Sequence, residues 1–397
     1  MVGYMVFLIF WSLLTGLQFW SGGVFSSFLD GRIGYVFFIL LVVLLITTLS
    51  SSPKAFPPQN IRIGFAYLIT LLLVYILHIL ATGVFDNNLI IWALQGFVLI
   101  SLRDDLKIRC FEIYIQLLGI LLLFAIIEYI LFVLTGFGVV TAANVQRGDS
   151  AQFFTQLVFN FIQKNFDFPR FQFLTEEPGL LGTACGFAIF ALRQLPKYRL
   201  QYFIFIFAGL ITFSLAFYVI FILHILTSNV RAKYTILILI AGVLLYYLLK
   251  DYIDYLLFYR IGDRTVDEID NRTSEELRFA LSRSYEIGEF WLGHGDLKNI
   301  GGGNAGGLVW LWIYGFWGVA MIFIVDTWYY FKMVKRHHSY LWHSFIFFVV
   351  FWLSFYQRQN ITFPDYLIVY LTIPLLNSKM LQRELKLSEG KASFTIF

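Results

Sequence analysis

The chain has 397 residues, of which 59% are hydrophobic and only 14% are charged. A soluble globular protein usually carries about 25% charged residues, so this composition excludes a water-soluble domain as well as disordered, collagen-like and disulfide-rich chains. The net charge is +4, from 29 basic and 25 acidic side chains. At about 20 apolar residues per membrane-crossing helix, this hydrophobic content suffices for on the order of eleven or twelve helices, which predicts a polytopic membrane protein.

Twelve apolar runs follow one another along the chain. They lie at 3–20, 33–50, 61–83, 87–102, 110–136, 179–196, 200–212, 214–228, 234–250, 305–331, 341–356 and 364–377. Unbroken apolar runs predict helices, because the strands of a membrane barrel alternate with polar residues. The first run follows no basic region and precedes no small-residue cleavage site, which favours a retained span. The seventh and eighth runs are short and meet at Phe213–Ser214, which predicts a re-entrant pair within one all-α transmembrane domain.

The lysines and arginines in alternate loops predict the orientation. One set of loops, which includes Lys54, Arg103, Arg193 and the C-terminal segment, holds seventeen cations and few acids. The other set holds twelve cations. The first set is therefore expected in the cytoplasm, with both termini.

Two external loops, 137–178 and 251–304, are longer than structureless connections usually are, which is typical of functional segments. Of the twelve external cations, nine are arginines, whereas eight of the seventeen internal ones are. The planar fork of arginine suits phosphate or carboxylate, so an anionic ligand is indicated. The alternative is pairing with acids of the chain, since the second loop also holds eleven of them.

Three clusters in these loops are candidate functional residues. In the first, Arg170 precedes Glu177-Pro178-Gly179, which opens the sixth apolar run. Proline and carboxylates favour the start of a helix, so a capped helix entry is one interpretation. The other places Arg170 and Glu177 across a site at the membrane surface.

The second cluster runs from Arg272 to Arg283. Thr273 and Glu276 form a capping box, and Leu277, Leu281 and Tyr285 repeat at helical spacing, which predicts a short amphipathic helix. Arg278 and Arg283 are about 140° apart on such a helix, so one phosphate would not engage both. A solvated charged face is the alternative.

The third cluster is Gly293-His294-Gly295-Asp296, followed by further glycines and Asn304. Glycines permit close backbone approach, but their spacing matches neither common phosphate-binding fingerprint. His294 is either a general base near neutral pH or an incidental loop residue.

The rest of the sequence offers no further motif. No zinc-binding or nucleic-acid motif is present. The apolar runs contain a few polar residues that share no motif, namely His78, Glu128, His224, Asp326 and His343.

Together these features resemble the bacterial O-antigen polymerases and the related O-antigen ligases. The resemblance rests on Arg170 with Glu177-Pro178-Gly179, on the arginine-containing loop that ends in Leu292-Gly293-His294-Gly295, and on Asn304 with Tyr314-Gly315-Phe316-Trp317-Gly318. It covers about residues 165–320. Ligases often end the long loop in a His-Asn pair, whereas here Gly303 precedes Asn304, which favours a polymerase.

The resemblance implies a helical glycosyltransferase of the GT-C type in the bacterial inner membrane, with its active site on the periplasmic face. Its substrates would be undecaprenyl-pyrophosphate-linked glycans. Its further partners would be membrane lipids and a chain-length regulator, and it would need no metal, cofactor or nucleic acid.

The resemblance also implies residue roles, in which arginines would stabilise the charge on the departing pyrophosphate. These are Arg170, Arg272 and Arg278, then Arg283 and Arg358, with Asn304 as a further substrate-binding residue. Glu177 is the first candidate proton acceptor and His294 the second. A ligase that transfers glycan to lipid A-core and a flippase of lipid-linked sugars are the alternatives.

Overall fold

The computed structural model describes residues 53–85, 87–136, 141–147, 150–156, 160–163, 170–173, 178–227, 275–286, 289–294, 306–357 and 364–378. The predicted runs at 3–20, 33–50 and 234–250 lie outside these ranges. The other nine predicted runs coincide with helices.

Ten α-helices lie in the described ranges. They are α1 (Pro58–Thr82), α2 (Asn87–Ser101), α3 (Asp104–Thr135), α4 (Pro178–Leu192), α5 (Arg199–Ile211), α6 (Leu215–Thr227), α7 (Glu275–Glu286), α8 (Gly306–Arg336), α9 (Leu341–Gln357) and α10 (Pro364–Leu376). Short 3₁₀ helices lie at Pro53–Ala55, Pro196–Tyr198 and Glu289–Trp291.

Helices α1, α3 and α8 are long and apolar enough to cross a membrane, as judged by length and composition, and shorter apolar helices accompany them. Their outward faces carry large apolar side chains: Ile69 and Leu80 on α1 are 54% and 77% exposed. An extensive apolar exterior has no favourable contact with water and suits lipid. The chain is a polytopic membrane protein, and the number of twelve spans stays a prediction.

The described residues are predominantly helical, as predicted, and part of the first long loop adds a small sheet. Strands β1 (Thr141–Arg147), β2 (Ser150–Gln156) and β3 (Phe161–Gln163) pair antiparallel in the order β1-β2-β3. Helical periodicity does not extend into this segment. Between β2 and β3, the buried Asn160 donates hydrogen bonds to Ala125 O and Glu128 Oε2, both at 2.8 Å, and so fastens the sheet to α3.

Helices α4 and α10 form the centre of the bundle. Nearly every residue of α4 is buried, and so is every described side chain of α10 from Tyr366 onward. Helix α4 packs against α5, α6, α9 and α10, and α10 also packs against α2, α3 and α8. A helix that is apolar on all sides belongs in the interior of such an assembly.

A helical hairpin formed by α5 and α6 packs on α4, at the position where the sequence predicts a re-entrant pair. Each arm has 13 residues, which is about 20 Å long at 1.5 Å per residue and shorter than the roughly 30 Å hydrocarbon core. Glycines of α4 permit the close packing, since a Cβ on Gly182 would lie 2.6 Å from Ser214 Cβ and one on Gly186 would lie 2.8 Å from Ile220 Cγ2.

The helix ends gather into two groups, of which one is rich in cations. At this basic end, Asp104 Oδ1 lies 3.0 Å from Lys107 Nζ, while Asp104 Oδ2 lies 3.5 Å from Arg336 Nη2 and 3.2 Å from His337 Nε2. Asn60 completes the cluster, because it donates to Leu102 O and accepts from Arg336 Nη1, both at 2.7 Å. The cluster therefore joins α1, α3 and α8.

Other contacts join the remaining helices at the same end. Lys197 Nζ lies 2.6 Å from Glu112 Oε1, and Tyr340 N donates to Asn377 O at 3.2 Å. These residues lie in, or at the ends of the apolar runs next to, the loops that the sequence assigns to the cytoplasm. The structure therefore brings these basic segments to one end of the bundle and Arg170 and His294 to the other.

Candidate functional site

The predicted site residues fall partly within the described ranges. Arg170, Arg278, Arg283 and His294 are described, whereas Glu177, Arg272, Asn304 and Arg358 lie outside. Pro178, which follows Glu177, is the first residue of α4, as expected for proline at a helix start.

The core of the site is a backbone contact between two of the predicted motifs. Gly315 interrupts α8 with φ 67° and ψ 177°, and Gly293 also has a positive φ of 82°. A Cβ on Gly315 would lie 2.5 Å from Gly293 N, and a Cβ on Gly293 would lie 2.4 Å from Ile313 O. Residues 291–293 therefore fit into the break of α8, where only glycines permit the approach.

A backbone hydrogen bond from another segment reaches α8 beside the break. In an unbroken helix a carbonyl accepts from the amide four residues later. Beside the break, Trp312 O accepts a hydrogen bond from His294 N at 2.8 Å. The segment that ends at His294 is thus fastened to α8 through its backbone.

His294 is held by three contacts on two neighbouring elements. Besides its backbone bond, its ring stacks on Trp312 with centroids 3.8 Å apart and an interplanar angle of 10°. Its Nε2 lies 3.2 Å from Ser284 Oγ on α7. Because α7 and α8 both fix the imidazole, His294 is a positioned residue and not an unrestrained loop histidine.

Helix α7 lies where the sequence predicts the amphipathic helix. Leu277 is completely buried and forms a cluster with Val309 and Trp312 of α8, against which Leu281 also packs. On this helix Arg278 is partly buried and Arg283 is exposed. The two arginines therefore have different surroundings, as their five-residue spacing predicts.

Arg170 lies at the turn of the α5–α6 hairpin. Its Nε and Nη2 donate to Thr212 O at 3.1 and 3.0 Å, and Nη2 also donates to Phe213 O at 3.0 Å. The last carbonyls of a helix lack partners within it, and a cation favours this negative end of the helix. Arg170 thus caps α5 and holds the hairpin turn, in which Phe213 has a positive φ of 50°.

The described contacts place the candidate arginines in two surroundings. Arg170 bonds to the α5–α6 turn, whereas Arg278 belongs to the helix that packs on α8. Convergence of Arg170, Arg272 and Arg278 on one cavity stays a prediction, since Arg272 lies outside the described ranges. Within those ranges, no group of three or more His, Cys, Asp or Glu side chains is placed to hold a metal ion.

A second polar cluster, which the sequence motifs do not indicate, lies at the basic end. It contains Arg193, directly after α4, and the two histidines His224 on α6 and His343 on α9. Arg193 Nη1 lies 3.5 Å from His343 Nε2 and 3.1 Å from the carbonyl oxygen of Thr227, which follows His224 by three residues on α6. These residues are far apart in the chain, so only helix packing brings them together.

The comparisons with known proteins give no assignment: no family model, no curated protein and no solved structure matches this chain. The functional conclusion therefore rests on the residues and their geometry.

Proposed function

We propose that the chain polymerises lipid-linked glycan repeat units at the external face of a bacterial inner membrane. The observation that carries the proposal is the docking of Gly293 and His294 into the break of α8 at Gly315. Leu292-Gly293-His294-Gly295 and Tyr314-Gly315-Phe316-Trp317-Gly318 are two of the segments on which the resemblance to O-antigen polymerases rests. Their contact supports a common function for both.

The proposed reaction joins a growing glycan to a single repeat unit. A hydroxyl oxygen of the lipid-linked acceptor attacks the anomeric carbon of the donor glycan, and the bond from that carbon to the donor pyrophosphate breaks. The hydroxyl proton passes to a carboxylate or imidazole, and undecaprenyl pyrophosphate leaves. Fixed cations lower the barrier because negative charge develops on the leaving group.

Residue roles follow from this reaction. Arg278 and Arg272 are assigned to the donor pyrophosphate, with Arg283, Arg358 and Asn304 as further substrate-binding residues. Glu177 is the first candidate proton acceptor, because it directly precedes the N-terminus of α4. His294 is the second, and its contacts with Ser284 and Trp312 fix its position. Arg170 is assigned to the same pyrophosphate in addition to its bonds with the hairpin turn.

The test is the glycan length distribution in a strain that lacks the gene and is complemented with variants. Arg278→Ala and Arg272→Ala are expected to remove long chains, since loss of one transition-state donor costs about 100-fold or more in rate. Arg62→Ala, which alters an exposed arginine of α1 at the basic end, is the matched control and should keep the full ladder. Full ladders in both loop variants at normal protein levels would contradict the assignment.

Arg170 requires a second measurement, because its loss also removes three hydrogen bonds to carbonyls. Cys110 and Cys185 are both buried, so a thiol-reactive dye that labels them during heating reports unfolding of the purified protein. Arg170→Lys keeps the charge and loses the guanidinium fork. If Arg170→Lys gives short glycan chains and an unchanged melting temperature, Arg170 has a role in substrate binding. If the glycan chains are short and the melting temperature is lowered, Arg170 serves only to stabilise the α5–α6 hairpin.

The glycan phenotype also separates polymerase from ligase. Loss of a polymerase leaves single repeat units on the lipid A-core, whereas loss of a ligase leaves a bare core.

The flippase alternative is favoured by one observation, the interrupted helix α8, since broken helices often line transport sites. In this chain residues 291–293 pack into the interruption. Purified protein that yields no glycosidic product from lipid-linked substrate would support the flippase.

A further inference from the structure

The cluster of Arg193, His224 and His343 joins three helices at the basic end. Arg193 Nη1 donates to Thr227 O, at the end of α6, over 3.1 Å. His224 Nε2 lies 3.0 Å from Tyr202 OH on α5. The ring of Phe190 lies between the histidines, with its centroid 5.1 Å from that of His224 and 5.9 Å from that of His343.

The cluster has hydrogen-bonding capacity that the described residues do not use. His224 is 2% exposed, and its buried Nδ1 has no hydrogen-bond partner among the described residues. Of the five N–H groups of a guanidinium, the contacts with described residues account only for Nη1 of Arg193. A buried polar atom without a partner costs free energy, so a further partner is indicated.

The charges indicate that this partner is an anion. Arginine keeps its charge in proteins, and a partly buried cation is costly unless it is paired. No Asp or Glu occurs between residues 178 and 250, a stretch that contains Arg193, Lys197, Arg199, Arg231 and Lys233. The carbonyl at the end of α6 supplies only about half of an elementary charge.

The neighbouring Asp104 cluster provides the contrast. There a carboxylate faces Lys107, Arg336 and His337 and compensates their charge. Around Arg193 the described contacts are to a carbonyl and an imidazole. The two clusters at one end of the bundle thus differ in whether the described part of the chain provides an anion for their cations.

We propose that Arg193, with His224 and His343 beside it, binds a phosphate group at the basic end of the bundle. The arginine fork presents paired donors to phosphate oxygens, and the histidines supply further N–H groups. This phosphate comes either from the headgroup of an anionic membrane lipid or from free inorganic phosphate. The site lies at the end opposite Arg170 and His294 and does not rest on the proposed glycan chemistry.

The test uses the full-length protein purified in a neutral detergent, with thiol-dye melting as the readout. One arm titrates sodium phosphate against sodium chloride of equal ionic strength. The other titrates dioleoylphosphatidylglycerol against dioleoylglycerol, which has the same acyl chains and no phosphate. Wild-type protein is expected to melt at higher temperature with a phosphate-bearing probe than with its matched control. Stabilisation by the lipid alone assigns the phosphate to a headgroup, and stabilisation by both assigns it to phosphate in general.

Three variants locate the binding. Arg193→Gln and His224→Gln are expected to weaken the apparent affinity about 10- to 100-fold, the range for loss of a charged hydrogen bond. In His224→Gln the amide still offers a partner to Tyr202, so this variant tests the site if Arg193→Gln fails to fold. Arg199→Gln removes an exposed arginine at the same end and should leave the affinity unchanged. Equal weakening by Arg199→Gln, or no stabilisation of wild-type protein by either probe, would overturn the proposal.

Discussion

Replacing Gly315 by alanine is expected to destabilise the protein by about 2–6 kcal/mol. A non-glycine residue at φ 67° and ψ 177° costs about 1–3 kcal/mol. Steric overlap in a packed interior adds about 1–3 kcal/mol. The overlap cannot relax through a side chain, because the atoms within 2.6 Å of the added Cβ belong to the backbone of residues 291–293.

Gly83→Ala is the matched control for this substitution. Gly83 has nearly the same φ, 69°, but no atom lies within 4 Å of the position that a Cβ would occupy there. Its replacement therefore carries only the conformational cost of about 1–2 kcal/mol. Thiol-dye melting of purified variants measures both. Equal melting temperatures for Gly315→Ala and Gly83→Ala would refute the close contact between Gly315 and residues 291–293.

The same contact predicts coupling between two glycines that are 22 positions apart. Gly293→Ala should destabilise the protein to a similar extent, since its Cβ would meet Ile313 O and Gly315 N at 2.4 and 2.5 Å. Once one alanine has displaced the segment, the second has less packing left to disrupt. The double variant should therefore lose less stability than the sum of the single variants.

Replacing Asp104 by alanine is expected to cost about 3 kcal/mol or more, because it leaves the buried ammonium of Lys107 without its carboxylate. The Lys107 side chain is 3% exposed and that of Asp104 is 21% exposed. The substitution also removes the contacts with Arg336 and His337 that hold α8 against α3.

The neighbouring Asp105 provides the control. It forms a salt bridge with Arg103, but the two side chains are 58% and 51% exposed. Exposed pairs contribute about 1 kcal/mol or less, so Asp105→Ala should leave the melting temperature nearly unchanged. If Asp104→Ala and Asp105→Ala melt alike, the Asp104 cluster does not stabilise the basic end.

Composition and periodicity located the helices because lipid imposes one rule on every span: each backbone polar group must be satisfied within the segment. That rule gives long apolar runs, and nine of them coincide with helices α1 to α6 and α8 to α10. Strands β1 to β3 were not predicted, since outside the apolar runs this rule does not apply.

The site was predicted less completely than the helices. Leu277 and Leu281 indicated α7 through their spacing, but nothing in the sequence showed that Gly293 packs against Gly315 or that Arg170 caps the α5–α6 turn. Both are contacts between segments that do not adjoin in the chain. Arginine suits an anionic ligand and a helix carbonyl equally well, so the residue type alone could not distinguish them.

The sequence by itself determined that this is a membrane protein and which segments are apolar, because both follow from the free energy of transfer from water to lipid. It also separated the cations into two sets of loops. Only the tertiary structure decided which of these residues meet: His294 with Trp312 and Ser284 at one end, and Arg193 with His224 and His343 at the other. These contacts between distant residues depend on how the helices pack, and helix packing depends on the complementary shapes of side chains throughout the bundle.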